Sequence, residues 1–101
     1  QLVMDHPRSG SIQETYAELL SASKDQQHWQ QALQQWRRVG QFSQPKSARW
    51  YRAKYQVAET YLRLGKPQEA AARIRYLQAT SGLAASGMQA RFEALLKRCQ
   101  P

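Results

Sequence analysis

Apolar residues recur along this chain at intervals of three and four, separated by polar runs, and no stretch shows strand alternation bounded by turns. Ile12, Tyr16, Leu19 and Leu20 predict a first helix, with Ser11 as N-cap and Glu14 three positions on in a capping-box pattern. Ser21-Ala22-Ser23 weakens that helix, and Asp25 reads as the N-cap of the next. Trp29, Ala32, Leu33, Trp36 and Val39 then form one apolar face, and Gly40 reads as its stop. The opposite face is mostly glutamine, which is uncharged and compatible with a helix. Pro45 fits the first turn of a third helix that runs to about Leu64 and ends at Gly65, a residue suited to a left-handed cap. Pro67 restarts a fourth, with Glu69 in its first turn where the helix dipole favours a carboxylate, and Ser81-Gly82 closes it after Thr80. A fifth helix is expected over about 86–99, with Met88, Phe92, Leu95, Leu96 and Cys99 on one side. Residues 1–10 show no period and read as a linker or N-terminal arm, leaving 11–101 as the helical domain. The fold class is all-α.

The helices repeat. Tyr16-x-x-Leu19-Leu20-x-x-Ser23, Lys54-x-x-Val57-Ala58-x-x-Tyr61 and Phe92-x-x-Leu95-Leu96-x-x-Cys99 align at an offset of 38 residues both times. Ala32-x-x-x-Trp36 and Ala70-x-x-x-Ile74 align at the same offset, so about two and a half copies of a helix hairpin are present. The central copy carries Val57, Ala58, Tyr61, Gly65 and Ala70, with Ala32 and Trp36 as counterparts in helix two, and this unit resembles the tetratricopeptide repeat (TPR). Small residues at 58 and 70 suit a close approach of two helices, with Tyr61 filling the space beside them. The unit departs from the family pattern at Lys54, which stands in the Trp slot, at Ile74 in the Phe slot, and at Gly82 in place of the closing Pro. The resemblance implies a right-handed α-solenoid of antiparallel helix hairpins, five helices in all, with the last in the capping position. It also implies a ligand groove lined by the first helix of each hairpin. On the central copy the corresponding positions are Arg52, Tyr55, Glu59, Leu62 and Arg63, a mixed aromatic and cationic stripe at helical spacing.

Composition narrows the function. The 101 residues are 42% hydrophobic and suit one domain, and the net charge is +8. The excess is local: residues 1–36 sum to −2, residues 37–75 to +8 and the remainder to +2. Cys99 is the single cysteine, which excludes a disulfide scaffold and a Cys-rich zinc module. No apolar run approaches the ~18–20 residues that span a bilayer, and the first seven residues are not expected to act as a signal peptide. The chain lacks an initiator Met and an evident N-terminal cap, so the expectation is the end piece of a larger protein.

The residues of catalysis do not assemble. His6 and His28 are far apart, and Cys99 takes the slot of Tyr61 with no catalytic partner in view. Glu14 and Glu69 have capping and first-turn explanations, and no Gly-rich phosphate loop is present. Neither catalytic residues nor a metal or cofactor are therefore expected. The basic middle leaves three readings. The first is a protein-interaction module binding an acidic peptide or surface, because arginine forks match carboxylates. The second is RNA or single-stranded DNA bound by cations interleaved with Trp and Tyr. The third is a structural end cap that docks on an upstream domain or on a copy of itself.

Overall fold

Asp25 starts a helix for the reason its chemistry suggests: its Oδ1 accepts the Gln27 N–H at 2.9 Å, relieving one of the donors that a helix N-terminus leaves unpaired. The structure is a computed structural model and describes residues 9–100. It contains α1 (Ser9–Ala22), α2 (Gln26–Gln41), α3 (Ala48–Arg63), α4 (Pro67–Thr80), a single 3₁₀ turn (Leu83–Ser86) and α5 (Gln89–Arg98). No strand occurs among the described residues. The arm expected over 1–10 lies outside them except for Ser9 and Gly10, which already belong to α1.

Local signals at the ends of α3 and α4 hold. Leu64 caps α3 and Gly65 follows with φ +79°. The Lys66 N–H donates to the Tyr61 carbonyl at 2.9 Å and the Gly65 N–H to Leu62 at 3.0 Å, the paired bonds of a Schellman cap. Pro67 then opens α4 where a missing N–H costs nothing.

Four expected boundaries move. Ser11 is inside α1 rather than its N-cap, because the helix already runs at Ser9. Gly40 does not stop α2 but lies buried in its last turn, and a Cβ there would sit 3.4 Å from Ala53 Cβ of α3. The glycine therefore serves helix approach rather than termination. Pro45 precedes α3 in a turn, and Ser47 is the N-cap, its Oγ accepting the Trp50 N–H at 3.2 Å. The fifth helix begins at Gln89, later than expected, because Gly87 is left-handed (φ +80°) and interrupts the chain after the 3₁₀ turn.

Each helix packs on its neighbour in the chain, α2 on both α1 and α3, then α3 on α4 and α4 on α5. Trp36, Phe92, Ile74, Leu95 and Val39 are the largest fully buried side chains. Between them Ala17, Ala32, Ala53, Ala58 and Ala70 are fully buried, allowing the helices to come close. Val57 and Tyr61, the other residues behind the repeat pattern, are buried as well. Two side-chain bonds tie helices across the core: Trp36 Nε1 donates to Ser21 Oγ at 2.9 Å, and the Tyr51 hydroxyl to the Ser81 carbonyl at 2.8 Å. The result is a slab of 42 × 33 × 16 Å. Among the described residues no helix is long and apolar enough to cross a membrane.

Candidate functional site

Side chains repeat every 3.6 residues on a helix, so α3 presents two opposite stripes, and the structure treats them differently. The stripe expected to bind a partner faces α1 and α5. Arg52 donates from Nε to Glu14 Oε2 at 2.7 Å and from Nη2 to Oε1 at 3.2 Å, a bidentate pair that Arg49 joins at 3.4 Å. Arg63 lies over the Trp29 ring, 4.8 Å from its centroid, and donates to the Ser21 carbonyl at 2.8 Å. Tyr55 meets Phe92 edge to face at 5.4 Å, with the Arg91 guanidinium 4.5 Å from its own centroid. Glu59 pairs with Arg98 of α5 at 3.5 Å, and Leu62 is half-buried against the core. The five residues thus share a face, but each has a partner within the chain. What stays open between Glu14, Arg52, Tyr55 and Arg91 is a hollow of about 40 Å³, room for little more than water.

Glu14 is therefore an ion-pair hub and not a capping residue. The hydrogen bonds from Arg52 hold its carboxyl below the ordinary 4.5, against the opposing effect of burial, and the charges of Arg52 and Arg49 act in the same downward sense. A carboxyl depressed in the folded state stabilises above its unfolded pKa and loses that contribution as pH falls through the folded value. Glu14→Gln is expected to cost about 0.5–1.5 kcal/mol at neutral pH, modest because both arginines are a third or more exposed. Urea unfolding at several pH values checks this: the gap between wild type and variant should close below pH 4.5. A gap that persists into acid would mean Glu14 acts through packing alone.

The other stripe of α3 forms the floor of an open groove of about 840 Å³ between α2 and α4. Arg37 comes from α2, Lys46 from the turn before α3, Trp50 and Lys54 from α3, and Arg73 and Tyr76 from α4. Lys46 is held there by a left-handed backbone, φ +68°. Lys54 is half-buried, with Nζ 5.1 Å from the Trp50 centroid. Burial lowers its pKa first, and the charges of Arg73 and Arg37 push it the same way. Arg73 stacks on Tyr61 at 4.4 Å, donates to its hydroxyl at 3.1 Å, and reaches the exposed Glu69 at 3.4 Å. Among the described residues no carboxylate lines the groove, and none pairs with Arg37, Lys46 or Lys54. The sequence pattern points away from this site, because the family resemblance places the binding face on the opposite stripe. One signal was available: Lys54 stands in a slot where the repeat pattern has an apolar ring.

Other reactive groups are locally explained. Ser23 Oγ lies 2.7 Å from His28 Nδ1, but the same oxygen accepts the Asp25 N–H at 3.0 Å within the α1–α2 turn. Cys99 is bonded to the Leu95 carbonyl at 3.3 Å, and burial raises its pKa despite Arg98 and Arg75, the opposite of an activated thiol. No cluster of three or more metal-ligating side chains occurs among the described residues. In comparisons with protein-family models, curated proteins and solved structures, the chain matches none.

Proposed function

We propose that this chain is a non-catalytic interaction module, built as an α-solenoid of TPR-like helix hairpins, and that it binds an acidic polypeptide. The observation that carries the reading is the division of charge about α3. On one side Arg49 and Arg52 meet Glu14 and Arg98 meets Glu59, with Arg63 and Arg91 laid over aromatic rings, while on the other Arg73 reaches Glu69 but Arg37, Lys46 and Lys54 meet no carboxylate among the described residues. Cations left unneutralised at a concave surface attract and orient an anionic partner. Nucleic acid fits less well. Stacking platforms need open ring faces, but Lys54 lies over Trp50, Arg91 over Tyr55 and Arg63 over Trp29.

A second surface suits the end-cap role. Ile12, Tyr16 and Leu19 are about half or more exposed along one side of α1, an apolar row that fits a contact with a neighbouring domain or a second copy.

Binding at physiological salt separates protein from nucleic acid. Poly-glutamate is expected to bind at about 0.15 M salt, where screening is strong beyond ~8 Å, whereas oligouridine and heparin retention should be lost. Retention of oligouridine with no binding of poly-glutamate would reverse the assignment.

A further inference from the structure

Packing of the helices leaves three surface features unused, namely the apolar row of α1, the exposed Phe42 after α2, and the groove over α3. The groove is the one whose chemistry defines an occupant. Its volume, about 840 Å³, is in the range of pre-formed ligand clefts. Three cations face it from three different helices, Arg37 from α2, Lys54 from α3 and Arg73 from α4, so no change within one helix disperses them. Lys54 is half-buried against Trp50 and beside the α2–α3 contact at Gly40, where its Cε lies 4.0 Å from the position a Cβ would take. Tyr76, one of the most exposed aromatics described, stands on the α4 wall.

From this arrangement we propose that the α2–α3–α4 groove seats an extended acidic segment of a partner protein, one carboxylate on Lys54 between Arg37 and Arg73, and an adjacent apolar side chain against Tyr76. The proposal rests on the reading of the chain as a binder of acidic polypeptide, and adds where and by which groups the segment is held.

Three physical effects favour this occupant. First, like charges gathered around the half-buried Lys54 destabilise one another, and a carboxylate placed among them relieves that repulsion, so the interaction strengthens on binding. The lowered pKa of Lys54, caused by burial and by Arg73 and Arg37, is in keeping with it. Second, the guanidinium of Arg73 is positioned by Tyr61 through stacking and a hydrogen bond and by the exposed Glu69, so it offers the donors those two leave over with little ordering cost. Third, Tyr76 gives the ligand an apolar contact beside the charges, the combination of anchor and orientation that gives specificity in clefts. An extended polypeptide supplies a carboxylate and a neighbouring side chain within one or two residues, ~3.3 Å apart along the chain. A nucleic-acid strand would instead need a run of phosphate contacts and successive open ring faces, and with Trp50 covered by Lys54 the groove offers Tyr76 for stacking without a second open ring among its lining residues.

The experiment uses the whole 101-residue chain. Its probe is a fluorescein-labelled decapeptide of Asp and Glu with a central Phe, titrated by anisotropy at about 0.15 M salt. Controls are the same peptide with Lys in place of the acids, and labelled oligouridine. Two double variants are compared with wild type: Arg37→Gln with Lys54→Met in the groove, and Arg52→Gln with Arg63→Gln on the opposite stripe. Lys54→Met keeps the stem and removes a half-buried charge, so folding should be preserved, which circular dichroism verifies. The groove variant is expected to weaken binding at least tenfold, with the opposite pair within about twofold of wild type. If the opposite pair loses binding while the groove variant retains it, or if both lose it equally, the groove assignment is overturned and acidic-peptide binding stands. If wild type binds the acidic peptide no better than the lysine peptide, or prefers oligouridine, the underlying reading fails along with it.

Discussion

Trp36→Ala is expected to cost about 3–5 kcal/mol of unfolding free energy, the range for removing a large aromatic from a filled core. Trp36 is 1% exposed, the largest fully buried side chain, and borders both the groove and the hollow on either side of α3. Its indole N–H holds Ser21 near the end of α1, so the truncation also removes the link between that helix and α2. Against the ~5–15 kcal/mol by which small domains are stable, a loss of this size takes a large part of the total. Tm should fall by more than roughly 10 °C, since each kcal/mol shifts a domain of this length by about 4–8 °C. Trp36→Phe separates the causes, because it keeps most of the apolar surface and gives up the bond to Ser21. Urea unfolding followed by circular dichroism reads both. A loss under about 1 kcal/mol for the alanine variant would place the structural centre elsewhere.

The second large effect is of a different kind. Phe92→Ala should release α5 and leave the rest of the slab folded. Helix α5 has ten residues, too few to be stable alone in water, and Phe92 and Leu95 are its buried residues. Phe92 is fully buried and meets Tyr55 edge to face, so truncation takes both the volume and the ring contact. A local loss of about 3–5 kcal/mol corresponds to roughly two to four orders of magnitude in amide protection. Hydrogen exchange should show that loss over 89–98, with α2 and α3 retaining most of theirs. Equal loss across all helices would instead mean that the chain unfolds as one unit and that α5 has no independence.

Both effects bear on function through the same geometry. Releasing α5 would remove the ring behind Tyr55 and the Arg98 partner of Glu59, opening the stripe that the repeat resemblance marks for binding. The groove on the other side does not involve α5. Peptide binding that survives Phe92→Ala would therefore agree with a ligand seated between α2 and α4.

Much of the helical pattern was legible because helix ends are settled by the nearest few residues. Asp25 reaches an N–H two positions away, Gly65 supplies one left-handed residue, and Pro67 needs no donor. The misread positions are those where a distant segment intervenes. Gly40 looks like a terminator in isolation, yet its missing side chain lets α3 come close at Ala53. Glu14 looks like half of a capping box, yet its carboxylate turns to Arg52, 38 residues on.

The amino-acid pattern alone determined an all-helical chain with a basic middle and a mixed aromatic and cationic stripe on its third helix, since periodicity and composition are properties of neighbouring residues. Which side of α3 closes and which stays open was decided by tertiary structure. Glu14 and Arg98 lie in α1 and α5, so they can neutralise only the side of α3 that those helices reach. On the other side α2 and α4 bring Arg37 and Arg73 toward Lys54, and apart from Glu69, which reaches Arg73 from outside the groove, no carboxylate among the described residues comes with them. Net charge is a sum over the sequence, but an unpaired charge is a matter of which side chains meet.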